Sequence, residues 1–70
     1  MLIVAERLYI LRKELNLTQE AAAKELGISL MSYRRYETNE REPTAPTLVK
    51  MARFYHVSLD YLVGLKDERQ

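Results

Sequence analysis

Apolar residues along this chain recur at three- and four-residue intervals, the pattern of amphipathic helices that each bury one side. Over residues 3–15, Val4, Leu8, Leu11 and Leu15 step by four, three and four, which predicts a first helix with that stripe inward. Thr18 suits the N-cap of a second helix, Gln19 to Leu26, whose inward positions Ala22, Ala23 and Leu26 are mostly small. Gly27 follows, where positive φ carries no steric cost, and Ser29 then caps a third helix running to about Thr38. From Asn39 to Pro43 the run NEREP has no apolar residue and ends in proline, so it reads as a surface loop. Thr44 caps a fourth helix in which Leu48, Met51, Ala52 and Tyr55 stand at i, i+3, i+4 and i+7. Ser58 caps a short fifth helix, with Asp60 in its first turn, Leu59, Leu62 and Val63 apolar, and Gly64 as the stop. No stretch alternates with period two, so the expected class is all-α, a compact five-helix bundle.

Size and composition narrow the picture without assigning a function. A chain of 70 residues can build one core and buries roughly 60 per cent of its unfolded surface. One domain over residues 1–65 is expected, with a charged tail, residues 66–70, that frays. With 47% hydrophobic and 30% charged residues and only two Gly and two Pro, the chain is of the folded rather than disordered kind. The absence of cysteine excludes disulfides, thiolate zinc sites and a cysteine nucleophile, and fits the cytoplasm. The longest apolar run, Met1 to Ala5, falls far short of the roughly 20 residues of a spanning helix, so no membrane partner is expected. His56 is the only histidine and lacks companions for a metal site. Ser58, Asp60 and His56 are close in sequence, but Ser58 is better explained as a cap; no enzyme activity and no cofactor are expected. Eleven basic and ten acidic residues leave a net charge of +1, so bulk charge offers no argument for a nucleic-acid partner.

The placement of individual residues does. Ala23, Gly27, Tyr33 and Tyr36 have a mechanical meaning: a small residue lets one helix cross another, glycine makes the turn, and two aromatics anchor the crossing helix. That is a helix-turn-helix. On a wheel of about 100° per residue, Tyr33 and Tyr36 point inward with Glu37 beside them, whereas Met31, Arg34, Arg35 and Thr38 point outward. A helix fits the major groove of DNA, where arginine can grip guanine with two hydrogen bonds and apolar groups can touch thymine methyls. Leu30, Met31, Arg34 and Arg35 are therefore the expected base-contacting residues.

The segments LRKELNLTQEAAAKELGIS, YRRYETNEREPTAPTL and MARFYHVSLDYL resemble the Cro and phage-repressor type of helix-turn-helix transcriptional regulator, the lambda-repressor-like or xenobiotic-response-element family. The resemblance covers residues 8 to 63 and rests on Leu11-Arg12 before the Thr-Gln-Glu, the Leu-Gly-Ile-Ser turn, Tyr36-Glu37, Pro43 and the Val57-Ser58-x-Asp60 motif, in one order. It implies a bacterial or phage-encoded regulator, a repressor, binding a two-fold symmetric operator as a homodimer. It further implies phosphate contacts from Gln19, Ser29, Thr38, Asn39 and Arg41, and a structural ion pair between Arg12 and Glu37 that joins the first helix to the third. Departures are also visible: Leu30 and Met31 stand where relatives carry polar base-readers, Tyr33 replaces a β-branched aliphatic, Ala22 a leucine, and Asn39 a glycine.

Two adjacent arginines are often only a solvated helix face, but the surrounding pattern favours DNA contact for Arg34 and Arg35; Gln19, and Arg41 between Glu40 and Glu42, read equally well as phosphate contacts or as plain surface residues. Leu59, Tyr61, Leu62, Val63 and Leu65 exceed the apolar needs of one short helix, so they are expected to form the dimer interface, helped by Met1 to Ile3. A different use of the same scaffold, as an antitoxin or phage accessory protein that chiefly binds another protein, remains the alternative.

Overall fold

The computed structural model describes residues 1–70 as an all-helical chain: α1 (Leu2–Glu14), α2 (Gln19–Leu26), α3 (Leu30–Glu37), α4 (Ala45–Tyr55) and α5 (Leu59–Val63). Four of the five helices begin on a hydroxyl residue with extended backbone. The side chains of Thr18, Ser29, Thr44 and Ser58 accept hydrogen bonds from the N–H groups of Ala21, Ser32, Thr47 and Tyr61. Each satisfies one otherwise unpartnered donor, a contribution of about 1 kcal/mol. Three helices stop in the left-handed conformation, at Gly27 (φ 70°), His56 (φ 56°) and Gly64 (φ 89°). At Gly64 the left-handed conformation favours glycine, and a Cβ there would press on Ile3, 3.1 Å from its Cγ1 and 3.2 Å from its Cγ2.

Helix α3 lies against both α1 and α2, α5 closes on α1 and α4, and α4 also touches α2. The core is centred on Leu8, Tyr33, Met51 and Leu62, all fully enclosed. Tyr33 fits there because Ala22 and Ala23, likewise buried, bring α2 close without filling volume. Its hydroxyl meets that of Tyr55 at 2.6 Å, so neither buried phenol is left without a hydrogen-bond partner. Burial pushes both phenols above their ordinary pKa; the mutual bond adds to the rise at Tyr33 and opposes it at Tyr55.

The structure departs from the sequence expectation at two places. Leu15, assigned to the inward stripe of α1, is 53% exposed: the helix stops at Glu14, and Asn16 in the left-handed conformation turns the chain away. Tyr61 and Leu62, expected in a dimer interface, are 7% and 0% exposed and belong to the chain's own core. A five-residue helix docked between α1 and α4 needs both of them for that docking. The charged tail lies along α1. Arg7 donates to the carbonyls of Tyr61 and Lys66 and, at 3.1 Å, to the Asp67 carboxylate. Arg69 grips Glu14 through two bonds of 2.7 Å, and its carbonyl accepts from the Ser58 N–H at 2.6 Å. The Arg7 guanidinium also stacks 4.1 Å from the Tyr61 ring centroid.

Candidate nucleic-acid interface

The site is built from the crossing of α2 and α3. Leu26 ends α2 in the core; Gly27 reverses the chain in the left-handed conformation, and its N–H and that of Ile28 close on the carbonyls of Lys24 and Ala23. Ser29 restarts the helix immediately. With Tyr33 and Tyr36 buried, the helical repeat forces the opposite face outward. Met31 is 61% exposed, Arg34 and Arg35 are exposed, and Leu30 is half-buried at the leading turn. Met31, Arg34 and Arg35 thus share an exposed ridge on the outer face of α3.

The ridge is anchored from behind by a polar network. The Nε of Arg12 donates to Oε2 of Glu37 at 2.7 Å and Nη2 donates to Oε1 at 3.1 Å, while Nη1 donates to the Leu17 carbonyl at 2.8 Å. These side chains are only 10% and 3% exposed, respectively. The bond to Glu37 raises the Arg12 pKa above its ordinary value against the opposing effect of burial, so the guanidinium stays charged. Gln19, at the first turn of α2, donates its amide nitrogen to Oε1 of Glu37 at 3.1 Å, and its amide oxygen accepts from Nε of Arg34 at 3.3 Å. Three helices thus converge on one carboxylate.

Around the end of α3 the loop is gathered on a single carbonyl. The oxygen of Arg35 accepts from the N–H groups of Glu40 and Arg41 and from the Thr38 hydroxyl. Asn39 sits at φ 63°, a conformation asparagine tolerates, which turns the chain sharply here. Thr38, Asn39 and Arg41 are all exposed. Glu40 is bonded to the Thr38 hydroxyl and Glu42 to the amino group of Met1, so neither neighbouring carboxylate is bonded to Arg41. Ser29 is exposed at the opposite end of α3, where its hydroxyl donates to that of Ser32. Ser32 escaped the sequence reading; its place in the first turn after the cap is the only signal that could have marked it. On the far side, Leu59 and Leu65 are 41% and 76% exposed and Val63 is half-buried. Met1 and Leu2 are open to solvent, while Ile3 is partly covered where Gly64 passes it.

A family described as helix-turn-helix matches residues 8–62, which is most of the chain and includes every residue of the Arg12–Glu37–Gln19–Arg34 network. The chain belongs to the helix-turn-helix family. The cryptic phage CTXphi transcriptional repressor RstR of Vibrio cholerae is 46% identical over 69 residues, covering 96% of this chain and 62% of that protein. The HTH-type transcriptional regulator YobD of Bacillus subtilis is 44% identical over 63 residues, covering 90% of this chain and 56% of its own length. This helix-turn-helix chain therefore spans little more than half of these relatives. Among solved structures, the P22 c2 repressor in complex with a synthetic operator superposes with a TM-score of 0.80 at 32% identity, over 84% of this chain and 89% of that one. A transcriptional regulator from Listeria innocua reaches 0.83 at 32% identity, over 93% and 61%. The helix-turn-helix fold is thus shared with a protein whose structure includes operator DNA.

Proposed function

We propose that this helix-turn-helix protein is a sequence-specific transcriptional repressor that binds double-stranded DNA with α3 in the major groove. The observation that carries this reading is the exposed Met31, Arg34 and Arg35 ridge, braced through Gln19 and Glu37 to α1. Met31 and the exposed part of Leu30 suit thymine methyls, and Arg34 and Arg35 suit guanine edges. Ser29 at the start of α3 and Thr38, Asn39 and Arg41 beyond its end flank the ridge, and Gln19 lies behind it at a helix N-terminus; these are the phosphate-contacting residues, fixing register rather than choosing sequence. Kinship with RstR and with the operator-bound P22 repressor supports the same reading.

One domain covers a half-site, so a homodimer on a two-fold operator in the bacterial or phage-host cytoplasm is the working assembly. With Tyr61 and Leu62 committed to the core, the exposed apolar groups left for that contact are Leu59, Leu65 and part of Val63, with Met1 and Leu2 preceding Ile3, which lies against Gly64. A second reading, a scaffold for binding another protein, is favoured by one feature: Leu2, Tyr9 and Ile10 form an exposed apolar hollow on α1. Salt separates the two. Affinity for duplexes selected from a random library should fall by about 0.9 log units per log unit of salt for each phosphate neutralised, while a hydrophobic protein contact barely responds. On the selected duplex, Arg35→Ala should relax preference at one base pair by about 1–3 kcal/mol, and Arg41→Ala should weaken all sequences alike. Equal, sequence-independent losses for both variants would remove Arg35 as a base reader.

A further inference from the structure

Helix α1 carries two apolar stripes, and the core uses only one. Val4, Leu8 and Leu11 are enclosed, whereas Leu2, Tyr9 and Ile10 on another side of the same helix are exposed. Leu2, Ala5 and Tyr9 stand at i, i+3 and i+7, with Ile10 beside Tyr9, so they share a face. Ala5 is buried and ends at its Cβ, and the face sinks there into a hollow of about 360 Å³ that also reaches Glu37 and Thr38 at the end of α3. That volume lies within the roughly 300–1,000 Å³ of sites for small organic molecules. A stable protein contact takes about 800 Å² from each partner, more than three partly exposed apolar side chains on one helix offer.

Charge narrows the occupant further. Both oxygens of Glu37 are bonded to Arg12, and the Thr38 hydroxyl lies 2.7 Å from Oε2 of Glu40. Glu6, exposed on the wall of the hollow, enters no ion pair and no side-chain hydrogen bond. Its helical neighbours three and four positions away are Leu2, Ile3, Tyr9 and Ile10, all apolar, so α1 itself supplies no cation to it. No lysine or arginine lines the hollow, and the guanidinium over the Tyr9 ring, that of Arg12 at 5.6 Å, is committed to Glu37. We propose that the hollow is a binding site for a small amphipathic cation, its aromatic or alkyl group seated over Ala5 between Tyr9 and Ile10 and its ammonium group on the Glu6 carboxylate. The hydrocarbon part displaces water from the apolar walls, and the charge gains both the unpaired carboxylate and the electron-rich Tyr9 ring. The site is built on α1 and does not depend on what α3 binds.

The probe is phenethylammonium, with phenethyl alcohol as its uncharged and phenylpropionate as its anionic counterpart, each titrated into isotope-labelled protein while the amide resonances are followed by NMR. The expected result is saturable shifts centred on residues 2–10 and on Glu37 and Thr38, with the cation bound about twofold to fivefold more tightly than the alcohol and the anion weakest. Glu6→Gln should remove the advantage of the cation and leave the affinity for the alcohol unchanged. Ile10→Lys removes one apolar wall and sets an ammonium group one helical turn from Glu6, so it should weaken the cation at least roughly tenfold. Both substitutions are at exposed positions, and a wild-type circular dichroism spectrum and unfolding midpoint for each exclude loss of the fold as the cause. Equal affinities for the three probes, shifts centred elsewhere, no saturation at tens of millimolar, or a cation advantage that survives Glu6→Gln overturn the proposal. A dimer in sedimentation that Ile10→Lys dissociates overturns it as well, because a second copy of the chain would then cover the hollow.

Discussion

Replacing Glu37 by glutamine keeps the side chain's shape and removes its charge, which isolates the worth of the buried pair. In the folded protein the Arg12 and Glu37 side chains are 10% and 3% exposed and share two bonds, at 2.7 and 3.1 Å. An exposed pair would contribute about 0.2–1 kcal/mol, whereas stripping one partner from a buried pair costs about 3–5 kcal/mol by leaving a charge uncompensated. Glutamine retains one accepting oxygen and Arg12 keeps the Leu17 carbonyl, so the lower end of that range, about 3 kcal/mol, is expected. Glutamine would also turn an amide N–H₂ towards Arg12 or Gln19, where only donors face it. Against a total stability of roughly 4–10 kcal/mol for 70 residues, the loss is a third or more. It should lower the midpoint of thermal unfolding by roughly 12–24 °C for a domain of this size. Urea unfolding followed by circular dichroism, with an unchanged dependence on denaturant, measures it directly. Glu14→Gln provides the internal control, since that pair with Arg69 has side chains 48% and 43% exposed, and it should stay close to wild type. A loss below about 1 kcal/mol for Glu37→Gln would place the pair in the same class as exposed ones and refute its bracing role.

The paired phenols should behave as a unit. Tyr33→Phe strands the Tyr55 hydroxyl at a cost of about 1–3 kcal/mol, and the Tyr33→Phe/Tyr55→Phe double variant should lose less than the sum of the two singles in the same denaturation assay. Because burial raises both phenols above the ordinary value of 10, their neutral forms contribute stability that is fully present below pH 10 and lost as pH rises through the higher folded values; an alkaline titration of wild type should show this and the double variant should not. The Glu14 carboxyl is held below its ordinary value of 4.5 by the Arg69 bonds, so the small stability difference between wild type and Glu14→Gln should be present above pH 4.5 and vanish as pH falls through the lowered value. Gly64→Ala should destabilise more than Gly27→Ala: both lie in the left-handed region, at a cost of about 1–2 kcal/mol for a residue with a Cβ, but only at Gly64 would that Cβ press on Ile3. Equal losses at the two glycines would show that Ile3 yields freely.

Most of the secondary structure was legible because its signals are local. A hydroxyl residue four positions ahead of an apolar stripe, or a glycine after it, acts on hydrogen bonds within one turn, so Thr18, Ser29, Thr44, Ser58, Gly27 and Gly64 could be placed from their neighbours alone. The outward ridge of α3 followed from the same periodicity. Helix ends were less secure: Leu15 fits the stripe of α1 by spacing, but the left-handed Asn16 ends the helix first.

The chain's own order of residues determines five helices, the glycine-centred crossing of α2 and α3, and which faces of those helices are apolar. Only the tertiary structure decides how apolar surface is shared out and which charges meet. Tyr61 and Leu62 look like surplus until α5 is docked, and Arg7 and Glu14 look like solvated charges until residues 66–70 return across α1 to meet them. Arg34 bonds to Gln19, 15 residues away, and Glu37 to Arg12, 25 residues away. Periodicity can name a face, because each residue's direction follows from its own backbone; a partner across the fold is fixed by packing, which assigns to each buried donor whichever acceptor the assembled helices bring within reach.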